Sequence, residues 1–163
     1  MTEKTMTRFA PTTIPLLATG ERLLDIAPVV PVSGVKGVGG VPGAGIGNAL
    51  ARVGGVGGNA EGLARQLPTE SPAGFIRKLL WVSDARVGLT AADPHGNGQL
   101  LWAVSREQVA AVRRSPRLQL MARFRLHFAD GSFVAFMTMR RRNTEALAGA
   151  VGEMTRPVPP AAV

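Results

Sequence analysis

The sequence of 163 residues contains no cysteine and no tyrosine, and it has only two histidines. Without cysteine, the chain cannot form disulfides, thiol nucleophiles or cysteine-ligated metal sites, and its redox compartment stays open. His95 and His127 lie far apart in sequence, and no set of residues matches a metal site or a Ser/His/Asp arrangement. We therefore expect a protein that is not an enzyme and that uses no cofactor or metal.

Long hydrophobic runs are also missing. The apolar stretch near the N-terminus is short and is interrupted by Pro11, Pro15 and Glu21. This pattern does not fit a signal peptide, and no run approaches the roughly 18–20 apolar residues of a membrane-spanning helix. We expect a cytoplasmic protein with a disordered segment at residues 1–15 and a disordered tail at 157–163.

Glycine is concentrated in one tract, where it makes up 12 of the 29 residues from 34 to 62. Glycine loses much backbone entropy on ordering and buries little surface, so the default interpretation is a flexible insertion, spanning residues 28–68. Three other interpretations stay open. They are a small-xxx-small membrane helix at Gly39, Gly43 and Gly47, a degenerate GxGxxA dinucleotide motif at 55–60, and short helices at 46–52 and 61–67.

Outside this tract, alternating and β-branched segments predict about seven strands. These strands cover residues 22–27, 75–82, 86–92, 99–103 and 108–114, followed by the two arms of a hairpin at 121–139. A helix comes last, capped by Asn143 or Thr144, and its apolar stripe has i, i+3, i+4, i+7 spacing: Leu147, Ala150, Val151 and Met154. The predicted fold is mainly β (α+β), a bent antiparallel sheet or partly open barrel capped by a C-terminal helix.

The hairpin at 121–139 has the clearest pattern, with Asp130-Gly131 as a two-residue turn. This turn predicts three core-facing pairs: Phe128 with Phe133, Leu126 with Ala135, and Phe124 with Met137. Because strand side chains alternate, the opposite face is cationic with apolar partners. It is predicted to carry Arg123, Arg125 and His127 opposite Thr138, Phe136 and Val134.

The order of these motifs resembles the small bacterial pleckstrin-homology-like (PH-like) and GRAM-like domains. The similar segments are Gly20-Glu21-Arg22, the hairpin at 81–87, Leu101-Trp102, the hairpin at 124–132 and the closing helix. The resemblance implies a non-enzymatic binding module for lipids or peptides, here over residues 16–156. In lipid-binding members the first hairpin loop carries the basic residues that bind headgroups. The long, nearly uncharged insertion replaces that loop, so no headgroup pocket is carried over.

Positive charge is the main functional signal, with a net charge of +8 that favours anionic partners. Residues 113–142 contain eight arginines and a single acid, Asp130. We expect several guanidinium groups to converge at one end of the sheet as an anion- or lipid-binding site: Arg117, Arg123, Arg125, Arg140, Arg141 and Arg142. The predicted function is peripheral association with anionic lipids at the inner membrane face.

Other interpretations of this cluster stay open. The arginines can form a solvated edge that resists strand addition, with Arg125 stacking on Phe136. The protein can also be an interaction scaffold without a lipid role. Nucleic-acid binding comes third, because single-strand binders combine cations with exposed aromatic residues, and Phe136 is the main candidate for exposure.

Overall fold

A computed structural model describes residues 3–32, 56–57, 62–68, 71–114 and 122–155. Within these ranges, two α-helices and three short 3-10 turns (Ile14–Leu16, Leu63–Gln66 and Arg106–Gln108) accompany the strands. The helices are α1 (Glu3–Thr13) and α2 (Arg141–Thr155). The strands are β1 (Leu23–Pro31), β2 (Val56–Gly57), β3 (Arg77–Ser83), β4 (Arg86–Ala92), β5 (Gly98–Ser105), β6 (Val109–Arg114), β7 (Ala122–Phe128) and β8 (Phe133–Thr138).

Seven strands form one open antiparallel sheet in the order β5-β4-β3-β1-β8-β7-β6, and the short β2 pairs with β8. Strand β1 joins the two halves of the sheet, because it pairs with β3 up to Val29 and with β8 at Val30 and Pro31. The architecture of seven antiparallel strands followed by a C-terminal helix confirms the predicted fold class, and it is consistent with a PH-like fold.

The main core lies between the inner face of the bent sheet and α2. Leu147, Ala150 and Val151 of the helix are buried against strand residues that include Phe124 and Leu126. This arrangement confirms three residues of the apolar stripe predicted for α2, and the side chain of the fourth, Met154, lies outside the described part of the structure. The predicted cap is wrong, because α2 begins at Arg141, before Asn143. The Asn143 side chain instead donates a hydrogen bond from Nδ2 to Thr138 Oγ1 at 3.1 Å, which ties the start of the helix to the end of β8.

A second, smaller core lies on the outer face of the sheet, under α1. Met6 and Phe9 of this helix pack against Ile26, Leu79 and Trp81. The prediction of disorder for residues 1–15 is therefore wrong for Glu3–Thr13. The spacing of three between Met6 and Phe9 places both on one helical face, and the outer face of the sheet is apolar here and needs cover.

The insertion predicted for residues 28–68 begins later than expected. Pro28 and Pro31 belong to β1, and Val29 between them is buried. Proline argues against a central strand because it cannot donate to the ladder. Here β1 changes partner between Val29 and Val30, which lets it continue through both prolines. Most of the glycine tract and all of the predicted C-terminal tail lie outside the described residues.

The hairpin between β7 and β8 has a different turn and register from the prediction. Gly131 donates its N–H to Phe128 O at 3.1 Å, and Gly131, with φ of 81°, is the turn residue with positive φ. This is a three-residue loop, a β-turn followed by a left-handed glycine, so Asp130 needs no strained backbone. The register shifts by one residue, pairing Phe124 with Phe136 and Leu126 with Val134.

Candidate anion-binding face

The outer face of β6, β7 and β8 carries three arginines and a histidine. Burial alternates along β7: Phe124, Leu126 and Phe128 point into the core, and the residues between them lie half-buried on the outside. We call this outer surface the cationic face and define it by seven residues from three strands: Arg113, Arg123, Arg125, His127, Phe133, Ala135 and Met137.

Two arginines on this face lie directly opposite each other, Arg113 on β6 and Arg125 on β7. Like charges at directly opposed positions destabilise a strand pair. The described strands β6, β7 and β8 contain no aspartate or glutamate to offset this repulsion. The arrangement therefore has an unfavourable electrostatic energy that an external anion would relieve.

Phe133 lies between two of the cationic-face residues. The Arg125 guanidinium carbon is 4.6 Å from the centre of the Phe133 ring, and the His127 ring centre is 5.5 Å from it. The predicted partner of Arg125, Phe136, is fully buried and stacks on Phe124 instead, with ring centres 5.5 Å apart. The aromatic residue on this face is therefore Phe133, and its ring already contacts Arg125 and His127.

The surroundings of His127 favour the neutral form of its imidazole. Burial lowers the pKa of His127 below its usual value, and the positive charges of Arg113 and Arg125 lower it further. A bound anion would reverse the effect of both arginines and favour the protonated ring.

Arg123 lies at the beginning of β7, opposite Met137. Its Nε atom is buried and has no hydrogen-bond partner in the described structure. Buried guanidinium N–H groups normally have an acceptor, so among the described residues this atom is an unsatisfied donor on the cationic face.

Three of the other predicted arginines lie at the end of the sheet where β7 begins and β8 ends, since Ala122 pairs with Thr138. Arg140, Arg141 and Arg142 are all exposed there, and Met139 before them has 72% of its surface exposed. Nearby Arg114 lies 3.7 Å from Glu145 of α2, an exposed ion pair of little energetic weight. The structure thus brings Arg123 and the arginine triplet to one end, whereas Arg117 lies outside the described residues.

Sequence reasoning missed two members of this surface. Arg113 was counted in the arginine cluster but not placed in the site, because its position opposite Arg125 depends on the register of β6 against β7. Met139 is an apolar residue that the sequence patterns do not assign to the site. Its position between a strand and three arginines is the sequence signal that could have indicated exposure.

Other polar clusters have structural roles. Asp93 accepts the backbone N–H groups of His95 and Asn97 and closes the turn between β4 and β5. Within the described ranges no group of three His, Cys, Asp or Glu could hold a metal ion. None of the helices in those ranges is long and apolar enough to cross a membrane.

Comparisons with known proteins add little to this description. No protein-family model matches the chain, and no curated protein matches it in sequence. Among solved structures, the pleckstrin homology (PH) domain of USP37 aligns with 48% of this chain and 76% of that chain, at 13% identity and a TM-score of 0.34. A similarity of this size supports no conclusion, and the fold description rests on strand order and register. Fold and site together define a small antiparallel β protein with a cationic outer face.

Proposed function

We propose that the protein is a non-enzymatic, PH-like binding module that associates peripherally with anionic lipid surfaces, at the cytoplasmic face of a membrane. The observation that carries this proposal is the exposed Met139 directly before Arg140, Arg141 and Arg142. An apolar side chain flanked by cations suits the boundary between lipid headgroups and acyl chains. Arg123 and Arg125 of the cationic face extend the positive surface from the same end of the sheet.

The expected contributions to the binding free energy favour a reversible interaction. Each cation near an anionic leaflet contributes about 1 kcal/mol, so the arginine triplet would contribute about 3 kcal/mol at low ionic strength. Screening by salt weakens such contacts, because the Debye length at physiological ionic strength is only about 8 Å. Insertion of one methionine side chain adds an apolar contribution of about 1–2 kcal/mol. Together these terms favour salt-sensitive, peripheral binding.

The triplet has an unfavourable position in the fold itself. Arg141 and Arg142 occupy the first turn of α2, which has no acidic residue. Cations at the N-terminus of a helix oppose the helix dipole by roughly 0.3–1 kcal/mol each. Local stability therefore does not explain why three arginines lie at this position, and attraction to an external anionic surface does.

Vesicle sedimentation tests the proposal with the full chain. Vesicles of phosphatidylcholine alone would be compared with vesicles that contain phosphatidylserine. We expect binding only to the anionic vesicles, with binding lost in the Arg140/Arg141/Arg142→Gln variant and reduced in Met139→Ser. The matched control changes three exposed arginines elsewhere, Arg22, Arg65 and Arg77, to glutamine, and it should retain most of the binding.

Three outcomes would contradict the proposal. Equal losses in the two triple variants would mean that net charge acts without a defined surface. Absence of binding by the unaltered protein would reject the lipid function and favour the interaction-scaffold interpretation. If single-stranded oligonucleotides bind more tightly than vesicles at the same ionic strength, nucleic acid becomes the better candidate.

A further inference from the structure

The centre of the cationic face holds three nitrogen-bearing side chains in a fixed arrangement. Arg113 and Arg125 face each other across β6 and β7, and His127 lies two residues further along β7 on the same side. The partner of His127 on β6 is Ala111, whose small side chain leaves room beside the imidazole. These residues differ from the Arg140–Arg142 triplet, which lies on the β8–α2 junction.

We propose that Arg113, Arg125 and His127 bind a phosphate monoester group. The inference rests on the proposed function, because it takes the group to be a lipid headgroup that carries a terminal phosphate. Free phosphate offers the same chemistry and is distinguished below by experiment. The triplet would then supply general attraction to anionic lipid, and the centre of the cationic face would supply headgroup selectivity.

The charges favour a monoester over a diester. A phosphate monoester carries about −1.5 to −2 charges at neutral pH and presents three acceptor oxygens. Two guanidinium groups can each bind such a group in a bidentate manner, and the imidazole supplies a further N–H. A phosphodiester has a single charge and two oxygens committed to ester bonds, so it offsets only part of the repulsion between Arg113 and Arg125.

Phe133 restrains two of the three side chains before any anion binds. The centre of its ring lies 4.6 Å from the Arg125 guanidinium carbon and 5.5 Å from the centre of the His127 ring. The Phe133 ring therefore restrains both side chains. A guanidinium that is already held in place loses less rotational entropy when it binds an oxyanion. Phe133 is therefore a positioning residue for the two nitrogen groups.

Binding should also be linked to a proton at His127. The charges that face this imidazole in the described structure are Arg125 on its own strand and Arg113 on β6, while β8 presents the uncharged Phe133. The hairpin carboxylate, Asp130, is occupied by the Leu63 N–H and by Ser132. An anion that neutralises the two arginines therefore favours the imidazolium, so the pKa of His127 should rise when the anion binds.

Vesicles of matched surface charge provide the main test. Phosphatidylcholine vesicles would contain either phosphatidic acid, a monoester, or phosphatidylserine, a diester, with mole fractions adjusted to equal zeta potential. We expect tighter binding to the phosphatidic acid vesicles. Replacing Arg113 or His127 with glutamine should weaken binding to these vesicles about tenfold, the effect of one lost charge-assisted hydrogen bond, and should abolish the preference. Arg77→Gln, which removes an exposed arginine from β3, should preserve it.

A soluble probe separates this inference from the proposed function. The titration of His127 would be followed by proton NMR with dihexanoyl phosphatidic acid below its micellar concentration, and His95 would serve as the internal reference. The His127 titration should move to higher pH on binding and should stay unchanged in Arg113→Gln. An equal response to inorganic phosphate would identify free phosphate as the source of the group.

The outcomes are distinguishable. Equal affinity for the two charge-matched vesicles, or a preference that survives both glutamine variants, would overturn the monoester site and leave the proposed membrane association intact. A His127 response to the soluble probe without any vesicle binding would support the site and reject the membrane association. Failure of both the soluble probe and inorganic phosphate to shift His127 would also overturn the site.

Discussion

The Glu21 carboxylate and the Arg86 guanidinium meet at 2.5 Å and join the start of β1 to the β3–β4 hairpin. The Glu21 side chain is only 2% exposed, and Ser83 donates a further hydrogen bond to it. Arg86 also lies over the Trp81 ring, at 5.6 Å from its centre. This pair connects a polar turn to the core that α1 covers.

Replacement of Arg86 by methionine tests this pair. The variant keeps the aliphatic stem but leaves the Glu21 carboxylate buried without its cation, so we expect the free energy of unfolding to fall by about 2–3 kcal/mol. Urea denaturation at pH 7 would measure the loss. Arg77→Met on β3 removes an exposed arginine and should change stability by less than about 0.5 kcal/mol. Equal effects of the two variants would contradict a structural role for the pair.

The same pair predicts a pH dependence in the acid range. Burial alone would raise the pKa of Glu21, but hydrogen bonds from Arg86, Ser83 and the Ala18 N–H outweigh it and leave the pKa below 4.5. Because the folded pKa is depressed, this stabilisation is present above pH 4.5 and is lost as the pH falls through the folded value. Glu21→Gln should therefore differ from the unaltered protein at pH 6, and the difference should shrink as the pH falls through the folded value.

Asp25 on β1 should make stability depend on pH in the opposite direction from Glu21. It is 5% exposed, its Oδ2 has no hydrogen-bond partner in the described structure, and burial raises its pKa to about 6. A raised carboxyl pKa means that the folded state binds the proton more tightly, so stability falls as the pH rises from about 4 to above 6, by on the order of 2–3 kcal/mol.

Asp25→Asn removes this titration. Chemical denaturation at pH 5 and pH 8 should show a loss of stability at the higher pH for the unaltered protein and a smaller loss for the variant. The comparison depends on the change between the two pH values, so a constant cost of the amide group cancels. If both proteins lose stability equally between pH 5 and pH 8, the buried carboxylate does not titrate in this range.

Close packing under α1 depends on a glycine. A Cβ atom at Gly88 of β4 would overlap the ring of Trp81 on the paired strand. The Trp81 ring is fully buried and donates a hydrogen bond to Thr90, so it cannot move aside without loss. We expect Gly88→Ala to lower the free energy of unfolding by about 1–3 kcal/mol, the usual cost of overpacking.

Gly149 of α2 is the matched control for this substitution. A Cβ atom there meets no other atom within 4 Å, and the residue is exposed on a helix. Alanine has the higher helix propensity, so Gly149→Ala should raise stability by about 0.5–1 kcal/mol. Thermal unfolding of both variants would test whether the stability falls for Gly88→Ala and rises for Gly149→Ala. A stabilising effect at position 88 would show that Trp81 packs differently.

These contacts also show what sequence patterns can and cannot predict. The strand segments and the apolar stripe of α2 depend on local alternation and spacing, so both were predictable. The register of β8 was not, because a single left-handed glycine at 131 changes the loop by one residue and exchanges Phe136 for Phe133 on the outer face. The site depends on that register, since the ring beside Arg125 and His127 follows from it.

The N-terminal helix illustrates a different limit. Short polar segments with proline have weak intrinsic helix propensity, and Pro11 lies inside α1. The helix is stabilised by packing on Ile26, Leu79 and Trp81, residues far away in the sequence. Local helix propensity does not report on packing against residues that are distant in the sequence.

A substitution of Arg141 should change the stability of the protein and its binding to vesicles in opposite directions. It is the first residue of α2, where the helix dipole disfavours a cation and favours an acid. Arg141→Glu should therefore raise the free energy of unfolding by about 0.5–1 kcal/mol, as measured by urea denaturation. The same variant places a negative charge beside Arg140 and Arg142, so its sedimentation with phosphatidylserine vesicles should fall several-fold. Arg77→Glu on β3 makes the same charge change away from α2 and Met139, and we expect it to weaken vesicle binding far less. A variant at position 141 that is more stable and still binds like the unaltered protein would remove this end of the sheet from the lipid contact.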